Sequence, residues 1–282
     1  MKKLLSSIIC LFLITGLFSV SVFADEINVS AGEKYQANLA AIGAGPGGEY
    51  VSSNSYGDRL YFGNKTFYTE YQSEGHYKIC MVRNGVTKVI VSNAAIAYVT
   101  NGKYLFYAEV GAALSGSSYY KRFKQIIYCI NTDTGKKKRI AAGSGLTPFA
   151  CSGDWLYAGI DTSQECRSYK VYAYNVKTGA KQFMMDDARS IQYVSGVVMG
   201  QTARSDVSNA NYYLFNKNGT GKKLLAKALD VKIQKRYIYY VVYKNVNYTM
   251  YYKVYRVNLK GKNKKALTGW TITNKLWDYA GT

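Results

Sequence analysis

The chain has 282 residues, 48 % of them apolar, and carries a formal net charge of +20. It is long enough for one large β domain or two small ones and apolar enough to bury a core, which excludes a chain that must stay unfolded. Tyr is abundant, with 29 residues, and Pro scarce, with 2. That balance suits strands, because the Tyr ring packs on a half-buried pleated surface while its hydroxyl stays wet.

The first segment stands outside the fold. Lys2 and Lys3 give a positive start, residues 4–22 are mostly apolar, and Val22-Phe23-Ala24 puts small residues where a signal peptidase reads. The sequence therefore predicts export, with residues 1–24 removed and residues 25–282 forming a single domain. A membrane anchor is the competing reading. The apolar run is near spanning length, but it lacks strongly polar flanks on its far side and ends in a cleavage site. No small residue stands immediately before Cys10, which argues against lipid attachment there. No later apolar run is long enough to span a membrane, so no transmembrane segment is expected in the mature chain. For an exported chain this basic, anionic cell-wall polymers or lipid headgroups suit better than nucleic acid. Ordinary solubility accounts for the charge equally well.

Residues 25–49 are expected to form an N-terminal strand and a Gly-rich loop. Within them, Ile42-Gly43-Ala44-Gly45-Pro46-Gly47-Gly48 matches the Gly-x-Gly-x-x-Gly of dinucleotide-binding folds and resembles the version in flavin oxidoreductases. That chemistry needs a helix directly after the glycines, so that pyrophosphate meets the helix N-terminus. Residues 49–57 make a poor helix and no strand–helix alternation follows. A flexible loop and no cofactor are expected.

From there a unit repeats. Each copy opens with a polar turn and a short aromatic strand: Gly57-Asp58-Arg59-Leu60-Tyr61-Phe62, Asn101-Gly102-Lys103-Tyr104-Leu105-Phe106-Tyr107 and Ser152-Gly153-Asp154-Trp155-Leu156-Tyr157. Weaker copies are Ser195-Gly196-Val197-Val198-Met199 and Lys235-Arg236-Tyr237-Ile238-Tyr239-Tyr240. A variable polar loop and a hairpin follow each one, and the hairpins turn at Gly85, Gly135, Gly179, Gly219 and Gly261. Asn-Gly and Thr-Gly between apolar alternations signal tight hairpins, which need positive φ. Spacings of about 40–50 residues with four short strands each are the signature of β-propeller blades. A four-stranded blade has two apolar faces and needs neighbours to cover them. Residues 271–279 look like the first half of another unit, and residues 27–41 are strand-like without a unit of their own. Six four-stranded blades are expected, one shared between the two ends, with five blades and loose ends as the alternative.

The hairpin Val254-Tyr255-Arg256-Val257-Asn258-Leu259-Lys260-Gly261 resembles the strand pair that ends each blade of low-density-lipoprotein-receptor-related propellers. Leu60-Tyr61-Phe62 and Ile238-Tyr239-Tyr240 sit where that family has Tyr-Trp-Thr-Asp, though Gly63-Asn64 follows where Thr-Asp would stand. The chain is thus similar to secreted bacterial relatives of that propeller, a group without an assigned activity, and the resemblance implies a fold rather than a function.

Chemistry-bearing sets are few. His76 is the single His, so a Ser-His-Asp site would need it, yet no nucleophile-elbow glycines surround any Ser. Neither a metal set nor a catalytic set is expected. Cys80, Cys129, Cys151 and Cys166 remain after export; Cys151 and Cys166 fall at opposite ends of a strand, which predicts free thiols. The pair Asp186-Asp187 is the best candidate for glycan cleavage, which needs two facing carboxylates. Lys136, Lys137, Lys138 and Arg139, with Lys262, Lys264 and Lys265, follow hairpin turns and form a candidate contact for an anionic polymer. Edge protection is the plainer role for such lysines. The preferred ligand-binding residues lie in the variable loops: Tyr68, Tyr71, Tyr119, Tyr120, Arg122, Tyr243, Asn245 and Tyr248. Tyr with Ser, Asn and Lys gives contact area and directed hydrogen bonds to a protein or carbohydrate. The sequence thus points to a monomeric, secreted or wall-associated, non-enzymatic binding protein. The alternatives are a propeller-type glycan hydrolase or lyase and a structural wall protein held by its charge.

Overall fold

The computed structural model describes residues 60–73, 76–94, 98–113, 123–163, 168–203, 209–234 and 236–272. The predicted leader, the strand at residues 27–41, the Gly-rich loop, Tyr119, Tyr120, Arg122, Cys166 and residues 273–279 lie outside these, and with them the shared blade. Every regular element among the described residues is a strand, and none of their segments is a helix long and apolar enough to cross a membrane.

Five four-stranded antiparallel units follow one another. Unit 1 holds β1 (Leu60–Phe62), β2 (Lys65–Ser73), β3 (His76–Arg83) and β4 (Val86–Ala94). Unit 2 holds β5 (Tyr98–Thr100), β6 (Tyr104–Ala113), β7 (Phe123–Asn131) and β8 (Lys137–Ser144). Unit 3 holds β9 (Leu146–Ser152), β10 (Trp155–Asp161), β11 (Tyr169–Asn175) and the first part of β12 (Lys181–Val194). Unit 4 takes the second part of β12, then β13 (Val197–Thr202), β14 (Ala210–Phe215) and β15 (Lys223–Ala228). Unit 5 holds β16 (Asp230–Gln234), β17 (Tyr237–Val246), β18 (Thr249–Asn258) and β19 (Lys265–Ala266). Strands lie in space in the order they occur in sequence. β12 serves twice: its residues up to Ala188 pair with β11, and those from Ala188 onward pair with β13. Asp187, at φ +54°, marks the bend.

Side-chain alternation decides how the units stack. In β6, Leu105 and Tyr107 join a buried cluster with Phe67 and Ile79 of unit 1, while Phe106 and Ala108 join one with Leu156 of unit 3. β10 and β13 repeat this. Leu156 and Ala158 face unit 2 and Tyr157 faces unit 4; Val198 faces unit 3 and Val197 and Met199 face unit 5. A period of two sends successive residues to opposite faces, so each middle sheet is buried on both sides by its neighbours. Four apolar clusters thus lie between consecutive units, and the architecture is a β-propeller. Gly159 in β10 leaves room for one of these interfaces: a Cβ there would sit 2.6 Å from Phe149 and 2.8 Å from Tyr169, whose rings meet edge to face.

Two details of the sequence reading are corrected. Leu60–Phe62 is a first strand, equivalent to Tyr98–Thr100, whereas Tyr104–Tyr107 and Trp155–Tyr157 open second strands. Two turn signals, Gly57-Asp58 and Gly63-Asn64, stand six residues apart, and the second is the real turn, with Gly63 at φ +58°. Lys65 is therefore the equivalent of Tyr104. The second correction concerns the supposed loops. Tyr68 and Tyr71 lie in β2, and Tyr243 and Asn245 in β17, because strands two and three extend as long hairpins.

Cys80, Cys129 and Cys151 are buried free thiols, the last two in the cluster between units 2 and 3. Burial pushes the Cys129 thiol up to about 12, and Cys80 and Cys151 upward as well. A thiolate is the reactive form. A thiol reagent at pH 8, with labelled peptides read by mass spectrometry, should leave these three unmodified in the native protein and label all three in denaturant. Fast native labelling of Cys129 would contradict the packing.

Candidate functional site

In an antiparallel four-strand unit, the turn between strands one and two and the turn between strands three and four share one end. That end is built from short turns that fasten themselves. Asn131 accepts backbone N–H bonds from Asp133 and Thr134, Asn175 from Lys177 and Thr178, and Asn258 from Lys260 and Lys262. Such side-chain caps are what Asn supplies in turns. Asn101 likewise accepts from the N–H groups of Lys103 and Tyr104, and its amide donates to Gly153 O of the next unit at 2.7 Å.

These turns enclose a cleft of about 590 Å³. Phe62 comes from unit 1, Asn101, Lys103 and Tyr104 from unit 2, Asp154 and Lys177 from unit 3, and Tyr193 from unit 4. The three rings are half-buried, so each keeps an accessible surface. Lys103 is exposed and lies over the Tyr104 ring at 5.5 Å. Asp154 is paired with Lys177 at 2.9 Å. Burial, and then the Asp154 charge, raises the Tyr104 phenol above its ordinary value, so at neutral pH it offers a neutral hydroxyl. Chemically the cleft provides aromatic surface, one cation, hydrogen-bonding turn atoms and one carboxylate already engaged by a lysine. The sequence reading quoted several of these residues as turn and strand starts and missed that they converge. Convergence requires knowing which turns are equivalent, and the misplaced first turn hid Phe62.

The same end ties the units together. Lys65 is the most committed of its charges: its side chain is only 9 % exposed. Its ammonium donates to Gly102 O, Thr132 Oγ1 and Asp133 Oδ1 at 3.1, 2.8 and 2.8 Å. Lys138 donates to Val176 O, Tyr157 to Lys217 O and Lys223 to Lys260 O, each crossing to the following unit.

The predicted residues are distributed as follows. Tyr71 and Tyr248 lie at or near the opposite end, where strands two and three turn. Tyr248 is fully exposed at the tip of the β17–β18 hairpin with φ +62°, an uncommon conformation for an aromatic residue. Tyr243 is half-buried and Asn245 exposed in β17 below that tip, and Tyr68 is half-buried in the middle of β2. These residues come from units 1 and 5. Beside the unit 5 hairpin, Trp270 lies under Lys244 at 4.6 Å, a pairing the sequence did not indicate. Asp186 and Asp187 are exposed; one pairs with Lys170 at 3.6 Å, and the other accepts from the Ser168 hydroxyl. His76 meets Asn93 at 2.6 Å. Among the described residues no three His, Cys, Asp or Glu converge as a metal set would. Lys136, Lys137, Lys138, Arg139, Lys262, Lys264 and Lys265 are all exposed at the hairpin end.

No protein-family model and no curated protein matches the chain. Solved structures similar to it include TolB from Acinetobacter baumannii, at 14 % identity and a TM-score of 0.40, covering 71 % of this chain and 50 % of that one. The β-propeller domain of the Trilobed protease from Pyrococcus furiosus is 12 % identical with a TM-score of 0.43, covering 62 % and 56 %. An oligogalacturonate lyase from Vibrio parahaemolyticus is 11 % identical with a TM-score of 0.49, covering 77 % and 69 %. The chain thus spans about half the length of the first two. The likeness concerns the fold and carries no activity across.

The hairpin-end geometry is testable without a ligand. The Lys65 hydrogen bond, and then its charge, holds the Asp133 carboxyl below the usual range. A depressed folded value gives stability that is full above the unfolded value of about 3.9 and is lost as pH falls through the folded value. Asp133→Asn should therefore flatten the fall in melting temperature below about pH 4, measured against the parent chain by calorimetry.

Proposed function

We propose that this chain is an exported, non-enzymatic binding protein that recognises a glycan or a protein. The cleft at the hairpin end supports this reading most directly. It combines three partly exposed rings with hydrogen-bonding turn atoms in a concave site, which suits the face of a sugar ring or an extended peptide. Its carboxylate is tied to Lys177 rather than free for proton transfer. General acid–base cleavage of a glycan needs two carboxyl groups about 5–9.5 Å apart across the bond, and Asp154 is the one carboxylate among the described cleft residues. Tyr71 and Tyr248, exposed at or near the opposite end, offer a second surface through which such a protein would hold its ligand.

A glycan array followed by thermal-shift titration of residues 25–282 tests the proposal. Binding without turnover is expected, with the melting temperature rising as ligand is added; at 100 times Kd the gain is about 2.7 kcal/mol. Lys103→Ala should weaken a ligand held in the cleft and Tyr248→Ala one held at the opposite end, since both side chains are exposed and their removal leaves the core intact. Product release from any glycan, abolished in Asp186→Asn/Asp187→Asn, would overturn the reading.

A further inference from the structure

Four consecutive units repeat one side-chain arrangement at their outer rim. In unit 2, Lys137 lies over the Tyr128 ring at 3.8 Å. In unit 3, Lys181 lies over Tyr172 at 4.0 Å; in unit 4, Lys222 over Tyr213 at 4.3 Å; in unit 5, Lys264 over Tyr255 at 4.2 Å. The register is constant. The residues directly opposite the tyrosines are Arg139, Phe183, Leu224 and Ala266, and each lysine stands two positions before its own. Each tyrosine is half-buried against the apolar cluster shared with the preceding unit, so each lysine covers the outer edge of one interface. Unit 1 does not extend the series: Cys80 stands in β3 where Tyr128 stands in β7, and Thr87 stands where the lysine would be.

We propose that this rim binds a flexible linear polyanion, one whose phosphate or carboxylate groups recur along the chain. A free lysine side chain loses rotamer entropy when fixed. Here the ring already fixes it, and the ammonium stays exposed, so four cations are presented in order at matching heights. Lys181, Lys222 and Lys264 have no ion pair among the described residues; Lys137 is paired with Glu109. Exposed Lys136, Lys223, Lys262 and Lys265 add to the same field. Lysine is a point charge without the fork geometry that selects one oxyanion; charge spacing is therefore what this rim recognises, and phosphate and carboxylate share it. The polymer must be flexible because the cations follow successive sheets around a rim. This site is separate from the cleft and stands independently of what the cleft binds.

The test uses residues 25–282 with fluorescent polyphosphate and polygalacturonate, and neutral dextran as control, read by anisotropy across a salt series well below the melting temperature. Retention of one or both polyanions, with log Kd rising linearly with log salt and no dextran binding, is expected; the two arms identify which anion is preferred. Replacing Lys137, Lys181, Lys222 and Lys264 together by Gln should lower the salt slope by about 3, at ~0.7 per contact on a flexible strand. The matching four Lys→Arg changes should preserve both slope and affinity. A structural role alone predicts a lower melting temperature for the Gln variant with polymer affinity and slope unchanged, and that result would overturn the proposal. So would tight dextran binding, or no retention of either polyanion at 50 mM salt.

Discussion

A four-stranded sheet that is apolar on both faces cannot stand in water alone, and everything else in this protein follows from that. Phe106 and Leu105 are neighbours in sequence and belong to different cores. Each unit is consequently a shared wall between two interiors. Fully burying a side chain of this size contributes about 1.5–3 kcal/mol relative to exposure, and each interface collects its contribution from two sheets. The chain therefore places its apolar residues on the inner strands, strand one of units 2 and 3 included, and leaves the turns at both ends for polar chemistry.

The abundance of Tyr and the excess of Lys, which look like separate facts of composition, meet at the rims of these walls. An interface between twisted sheets has an outer edge where a ring is half in water. Tyr fits there, and a lysine laid over its face shields the ring while keeping its own charge solvated, at about 0.5–1 kcal/mol for an exposed cation–π contact. Lys65 shows the opposite solution. It occupies a position filled elsewhere by Tyr104, Trp155 or Tyr237, and its ammonium is buried among three acceptors of the next unit. A buried cation is tolerated only with such partners, so Lys65 links unit 1 to unit 2 through hydrogen bonds as well as apolar packing.

Much of this was legible in the residues. Gly135, Gly179 and Gly261 with the capping asparagines Asn131, Asn175 and Asn258 announced the hairpins, and alternation announced the strands between them. The register of unit 1 was not legible, because two Gly-polar dipeptides compete and only the ladder of β1 with β2 selects the second. The extent of the β17–β18 hairpin was also hidden: Lys244, Asn245 and Val246 read as loop, yet their backbones complete a ten-residue antiparallel pairing. The cleft was illegible for a different reason. Phe62, Tyr104, Asp154 and Tyr193 are far apart in sequence and carry no shared motif, and they meet because four turns converge. By contrast the Lys–Tyr pairs could have been found, since in units 2 to 5 a lysine after the hairpin turn faces a tyrosine before it at a fixed diagonal.

One seam differs from the rest. Between units 2 and 3 the chain changes sheets at Gly145, and between units 4 and 5 at Leu229, so the hydrogen-bonded ladder ends and begins anew. Between units 3 and 4, β12 passes through without interruption, and seven strands form one continuous sheet. The array is mechanically a set of single leaves with one double leaf in its middle. Twisting unit 3 against unit 4 must strain a backbone that belongs to both, whereas the other seams can slip by sliding side chains. Motion at the cleft, which is lined from both sides of this seam, is thereby restricted on one flank: Tyr193 and Asp154 travel together, and any widening falls to the seams between units 1 and 2 and between units 2 and 3.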